Sequence, residues 1–471
     1  MNPEKERPLL HVLGSSWVSM LGVFLVTTAA CSWLFVLPVH IRGHVDNPYI
    51  GILIFFAIPV IFFLGLALIP IGIALGKKRV SAELSTVPDR KALARRFAVF
   101  LAVTTFVNIV IGSQVTYRAV EHMESVQFCG QTCHVMQPEF TAHLLPSHQK
   151  VACVECHVVP GAAGFVQAKM AGTRQLMNVV LNSYPRPIES AIEDNRLAPS
   201  ADTCEQCHAR TEDNGTRVRV IPAYKDDQAN TVSYTVLNMK VGGGTGGGIH
   251  GAHMGAGIHI RYAAVDRKRQ NIPWVEYKNN VTGETRGYLA DTEKPGLESA
   301  LPQFEMQCAD CHNRAAHSFE LPSRAIDRSF ASGELPASMP FLKKTGLALL
   351  KAAYSSREEA ARKIPEGVNL FYRSQYPDAS SKNVAAAGQV IARIYSENVF
   401  PDLKVGWGTY VNNLGHTDAP GCFRCHDGSH TNMDPKATRK TITQDCEMCH
   451  QPVAVEESSP DILTTLGITN H

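Results

Sequence analysis

The sequence carries almost no net charge, +2 over 471 residues, and its lysines and arginines form no stripe interleaved with aromatics. Nucleic-acid binding, which needs such a surface, is excluded. Histidine is missing from the interior of three long apolar runs; His11, His40 and His44 stand only at their ends. Those runs therefore lack the side chain that most often holds a metal between helices. Cysteine outside one repeated pattern is missing too, because twelve of the thirteen fall in that pattern and only Cys31 stands apart.

The pattern is two cysteines followed at once by a histidine. It occurs as Cys153-Cys156-His157, Cys204-Cys207-His208, Cys308-Cys311-His312, Cys422-Cys425-His426 and Cys446-Cys449-His450. A wider form, Cys129-Gly-Gln-Thr-Cys133-His134, precedes them. Two thiols at this spacing add across the vinyl groups of a haem, and the adjoining imidazole meets the iron. A zinc or redox motif does not explain five repeats each closed by histidine. Disulfides between such close pairs would staple nothing distant. The reading is six covalently bound c-type haems, the first on a loop lengthened by one residue.

The three apolar runs span 15–39, 49–76 and 97–114, each near the roughly 18 residues needed to cross hydrocarbon. They predict three transmembrane helices after a cytoplasmic tail at 1–14. The link over 77–96 holds Lys77, Lys78, Arg79, Arg90, Lys91, Arg95 and Arg96 against Glu83 and Asp89, whereas Arg42 is the one strong base in 40–48. The positive-inside rule keeps the basic link in the cytoplasm and sends everything after 114 to the periplasm, the side where c-type haems belong. The first run is too long and too apolar at its end for a cleaved signal peptide, and Thr28-Ala-Ala-Cys31 is read as helix rather than a lipoprotein cleavage site.

Beyond the membrane, 115–208 holds three haem motifs and 308–471 another three. The stretch 209–307 between them alternates like strands over Thr216 to Tyr224, Thr231 to Val241 and Ile258 to Val265, with a hairpin from Pro273 to Tyr288. Its glycine run, Gly242 to Gly248, is a loop that delivers His250, His253 and His259. Ser338 to Tyr354, Glu358 to Ile364 and Lys382 to Val399 carry apolar residues at helical spacing. The expected fold is a mainly α, membrane-anchored multihaem cytochrome c with a haem-packed periplasmic domain and a small β insert.

An iron that only passes electrons needs both axial positions filled. Haems two to six need five distal ligands, and ten histidines after the third run compete: His122, His143, His148, His250, His253, His259, His317, His416, His430 and His471. Position favours His317, His416, His430 and one of the glycine-loop set, with His250 and His253 the leading two. His317 and His430 lie five and four residues from His312 and His426. At roughly 3.3 to 3.6 Å per residue such links barely round a porphyrin edge, so each is expected to cap a neighbouring haem.

The helix exit, the Cys133-His134-Val-Met136 word, Ser147-His148, Val151-Ala-Cys153, Pro160-Gly161 and Lys169 together resemble the NapC/NirT/NrfH family of membrane-anchored multihaem quinol dehydrogenases. The wider match includes Tyr184-Pro-Arg-Pro187, Cys311-His-Asn-Arg314 and Gly415-His416 through His426, and resembles the longer, ImcH-type inner-membrane branch. The resemblance implies His148 as a distal ligand and Met136 as a ligand of the first haem, whose other face meets quinol. It implies menaquinol from the membrane pool as the electron source and a periplasmic multihaem cytochrome or reductase as the acceptor; a homo-oligomer is compatible with it. Lys169 falls where the family has a lysine at the quinol site, but the acid often found shortly after is missing: 169–188 has no Asp or Glu, and Gln175 stands about there. Quinol oxidation releases protons, so Glu121, Glu124 and Glu139 are the substitute bases. The rival function is a terminal reductase of a small nitrogen or sulfur oxyanion at an open haem, against which every motif ends in histidine. A sensory subunit would carry cytoplasmic output modules, and none is present in the sequence.

Overall fold

The computed structural model describes residues 16–42, 57–76, 95, 114, 117–132, 134–145, 147–193, 196–208, 214–243, 247–438 and 440–468. The chain forms two compact units, Met1–His134 and Val135–His471.

In the first unit, α1 (Trp17–Arg42) and α2 (Ile58–Gly76) pack together. Small residues make the contact: a Cβ on Gly22 would lie 2.7 Å from the Gly65 carbonyl oxygen, and one on Gly72 would strike Ser19. Ser19 is fully buried and donates to the Ile69 carbonyl at 3.3 Å, a hydrogen bond between the two helices at their close contact. Among the described helices, Ile58–Leu75 is long and apolar enough to cross a membrane, and Trp17–Ala30 is a shorter apolar stretch. The third expected span, 97–114, and the basic link over 77–96 lie outside the described residues except Arg95 and Gln114.

The second unit begins with helices α3 (Gln137–His143), α4 (Cys153–His157), α5 (Ala162–Val180) and α6 (Gly248–Met254). It continues with α7 (Cys308–Cys311), α8 (Pro322–Ala331), α9 (Leu342–Leu350), α10 (Arg357–Gln375), α11 (Ser381–Asn398) and α12 (Asp461–Thr465). Its strands are β1 (Thr216–Tyr224), β2 (Val232–Lys240), β3 (Ile258–Ala263), β4 (Trp274–Asn279), β5 (Glu284–Ala290), β6 (Gln303–Glu305), β7 (His430–Asn432) and β8 (His450–Glu457). They form two antiparallel sheets, ordered β1-β2-β8 and β6-β3-β4-β5-β7. The expected β insert is thus not self-contained. β7 and β8 come from the C-terminal haem region, too short or too close to a motif for alternation to reveal them.

Helices α8 to α11 enclose the largest core, in which Ile326, Leu342, Leu350, Ile364, Ile391 and Ile394 are fully buried. The stripe expected to stop at Ile364 runs on to Gln375, because Pro365 is accommodated where Gly388 of α11 comes against it. None of the haem-motif residues belongs to this core; it is a scaffold. Ile391→Ala should cost about 2–5 kcal/mol through lost burial and the cavity left behind, seen as a lower denaturation midpoint. Leu370→Ala, at a site 71% exposed, should leave the midpoint where it was.

The β1-β2-β8 sheet is tied to the scaffold by a buried ion pair. Lys343 Nζ lies 2.7 Å from Asp327 Oδ1 and also donates to the Tyr224 carbonyl at the end of β1. Burial pushes the Asp327 carboxyl up against the opposing pull of Lys343.

Candidate functional site

Each of the five closely spaced haem motifs folds as about one helical turn, which brings two thiols and a ring together. The amide of His208 donates to the Cys204 carbonyl at 2.8 Å, His312 to Cys308 at 2.8 Å and His426 to Cys422 at 3.0 Å. In the widened first motif, Phe128–Thr132 is a π-type turn. Such a turn holds one residue more than an α turn, so the helix itself absorbs the insertion. Cys133 lies outside the described residues, His134 is exposed and Met136 is half-buried.

Five motif histidines face a second histidine ring. His157 lies 6.2 Å from His317, His208 6.2 Å from His148, His312 6.2 Å from His250, His426 5.8 Å from His253 and His450 6.2 Å from His416, centre to centre. Two imidazoles bound to opposite faces of one metal at about 2 Å, each ring centre about 1.1 Å behind its nitrogen, stand roughly 6 Å apart. The residues present therefore fit haem, two imidazoles to each iron.

Hydrogen bonds orient several of these rings. Nδ1 of His148 lies 3.0 Å from the Ala315 carbonyl, that of His253 2.8 Å from Ile249, that of His317 2.9 Å from Glu139 and that of His426 2.7 Å from Thr443. A backbone carbonyl accepts only from N–H, so in each ring Nδ1 carries the proton and Nε2 keeps its lone pair. Burial lowers the pKa of His157, His253 and His312, and takes that of His317 down to about 4, so the rings stay neutral. His416 is held instead by stacking on Phe423, ring centres 4.3 Å apart.

Local backbone explains how the glycine loop carries two of these rings. Gly242 has φ +61° and Gly248 φ +79°, and a Cβ at Gly242 would run into the Gly247 carbonyl. The chain doubles back there, the His250 amide bonds to Val241 at 2.8 Å, and α6 presents His250 and His253 one turn apart. The sequence led us to expect one ring from this loop; the structure sets both opposite motif histidines.

His430 departs from expectation. It is 2% exposed, with Nδ1 2.8 Å from Asp427 Oδ1 and Nε2 2.8 Å from the Ile272 carbonyl. Neither nitrogen is left for a metal; the ring pins β7 into its sheet. His259 is a surface residue bonded to Glu305 at 2.9 Å, His122 lies against Phe128, and His471 is outside the described residues. His143 had carried no assignment, yet it is 4% exposed, its Nε2 lacks a hydrogen-bond partner, and its ring centre is 5.9 Å from that of His317.

The motifs themselves adjoin in chain order. Cys156 lies within electrostatic reach of Cys204 and Cys207, the Cys204 and Cys308 thiols share a hydrogen bond, Cys311 neighbours Cys422 and Cys425, and Cys449 neighbours Cys422. A buried cluster clamps the fourth motif to the fifth. Arg269 Nη1 donates to Asp310 Oδ1 at 2.8 Å, and Arg424 donates to the Asp310 carbonyl at 2.8 Å and the Arg269 carbonyl at 2.9 Å. Sequence reading passed over Asp310 and Arg424, although both sit between paired cysteines.

The expected proton-handling residues divide between the two units. Glu121 and Glu124 belong to the first unit, where Glu121 is exposed and paired with Arg118 at 2.8 Å. Lys169 lies over the Phe165 ring at 4.9 Å on α5, and Gln175, six residues on, points to another face. Glu139 is at the His157–His317 pair; burial raises its carboxyl to about 7 against the pull of Arg314, and Oε2 lacks a hydrogen-bond partner.

Paired cysteines, adjoining imidazoles and facing rings define a multihaem cytochrome c. Residues 91–230 match the N-terminal region of the NapC/NirT cytochrome c family. Over 463 residues the chain is 37% identical to the cytochrome c-type protein ImcH of Geobacter sulfurreducens, covering 94% of this chain and 90% of that protein. The chain belongs to the NapC/NirT cytochrome c family, whose covalently bound haem serves electron transfer. No solved structure matches it.

Proposed function

We propose that the chain is a membrane-anchored hexahaem cytochrome that oxidises menaquinol at the periplasmic face and relays the electrons to a periplasmic cytochrome or reductase. The observation that carries this is the set of five facing histidine pairs. Covalently held on the six motifs, haem supplies one-electron carriage without bond making.

The roles of the chain's own residues follow. Cys129 and Cys133, Cys153 and Cys156, Cys204 and Cys207, Cys308 and Cys311, Cys422 and Cys425, and Cys446 and Cys449 anchor the haems. His157 with His317, His208 with His148, His312 with His250, His426 with His253, and His450 with His416 supply two imidazoles to each of five irons. Two imidazoles on each of these five irons would exclude competing ligands and limit rearrangement on electron gain, which supports a relay over a terminal reductase. His134 and Met136 would serve the iron of the first motif, the next in sequence after the third apolar run, where quinol would deliver its electrons. Adjacency of successive motifs supports a path running in chain order from the second site to the sixth.

Topology tests the membrane half of the proposal. With seven basic residues in the link over 77–96, a reporter fused near Pro88 should be active in the cytoplasm alone. Activity in the periplasm would reverse the orientation and place the haem motifs on the wrong side for attachment.

A further inference from the structure

The last motif lies in a stretch unlike the rest of the chain. From 441 to 471 there are five acids, Asp445, Glu447, Glu456, Glu457 and Asp461, and no lysine or arginine. All five are exposed, and none takes part in a salt bridge among the described residues. Within the same stretch large apolar side chains face solvent: Met448 is 51% exposed, Val453 47% and Val455 61%. Val453 and Val455 flank Ala454, which is buried with Val236 and Leu463 on the other side of β8. β8 is also an edge strand of its sheet. The thiol of Cys446 is exposed, and His450, the first residue of β8, faces His416.

We propose that this face is where a cationic redox protein docks to collect electrons at the sixth haem site. The proposal rests on the relay reading and adds its exit. An apolar centre with a mainly acidic rim, to which Lys240 adds one cation at the Glu447 carbonyl (2.7 Å), is the make-up of an interface that must form fast and release. The rim's sign selects the partner: carboxylates attract a lysine-rich surface and speed its encounter, whereas an anionic lipid surface or a second copy of this same face would be repelled. The transfer is one electron. The ferrous iron held by His416 and His450 becomes ferric, the ferric iron of the carrier becomes ferrous, and no proton or bond moves.

The test uses the full haem-loaded chain, reduced chemically so that quinol plays no part. The probes are a strongly basic mitochondrial-type cytochrome c and the same protein with succinylated lysines. At low ionic strength the native chain should reduce the basic probe at least about tenfold faster than the succinylated one, and salt should erase the difference. Glu447→Gln/Glu456→Gln/Glu457→Gln should lose that advantage and bind a redox-inert zinc-substituted basic probe correspondingly more weakly. Glu358→Gln/Glu366→Gln/Asp378→Asn, exposed on the helical scaffold, should change neither reading. Equal losses in both variants, or no loss in the first, would overturn the docking site. Failure of quinol to reduce the haems while charge-dependent oxidation persists would sink the relay reading and leave the docking site standing.

Discussion

His250→Ala is expected to convert one low-spin haem in six to a high-spin form while the other five keep their spectra. The ring of His250 stands 6.2 Å from that of His312, so its loss opens the iron of the fourth motif and no other. His253→Ala, one turn along α6, should open the fifth iron instead, because that ring faces His426 at 5.8 Å. Electrons entering upstream should still reach the second and third haems in the His250 variant and pass more slowly beyond the fourth. His430→Ala should leave every haem spectrum unchanged and weaken the fold, since the ring bridges Asp427 and the Ile272 carbonyl. Losing the ring leaves the buried Ile272 carbonyl without its partner, which costs about 1–3 kcal/mol, whereas Asp427 is exposed and keeps Ser429. Electron paramagnetic resonance of the oxidised proteins distinguishes these outcomes. A new high-spin signal in His430→Ala, with none in His253→Ala, would reverse the assignment.

The second large effect concerns the first motif. Cys129→Ala/Cys133→Ala should reduce the haem count by intact mass from six to five and abolish reduction by quinol, while dithionite still reduces the remaining five. The π-type turn over Phe128–Thr132 gives the extra residue a place in the helix, so the native chain should carry its first haem despite the wider spacing. A native mass of five haems, restored to six by deleting Gln131, would show that the wider spacing defeats attachment. Undiminished quinol reduction in the double variant would show that electrons enter elsewhere.

Much of this architecture was legible in the sequence because its chemistry is local. Cysteine-histidine words name their cofactor by spacing alone, and the β1 to β5 strands and the α9 and α11 stripes announced themselves by period. Pairing across space was harder. His253 and His430 are both histidines near haem motifs, and what separates them is a glycine-driven reversal at Gly242 and an aspartate at Asp427 that occupies the His430 ring. Strands β7 and β8 hid for a similar reason: their partners are about 140 and 220 residues away, a distance local pattern does not bridge. Arg424 and Asp310 looked like motif filler; their part in clamping two motifs depends on Arg269, distant in sequence.

The most direct measurement of the relay is anaerobic stopped-flow mixing of the oxidised, membrane-reconstituted protein with a soluble menaquinol analogue. The account predicts that all six haems become reduced, beginning with the one of distinct ligation and proceeding through five low-spin haems. Reduction of every haem by dithionite but none by the quinol, or nitrite, hydroxylamine or tetrathionate binding to native high-spin haems that quinol leaves untouched, would contradict it.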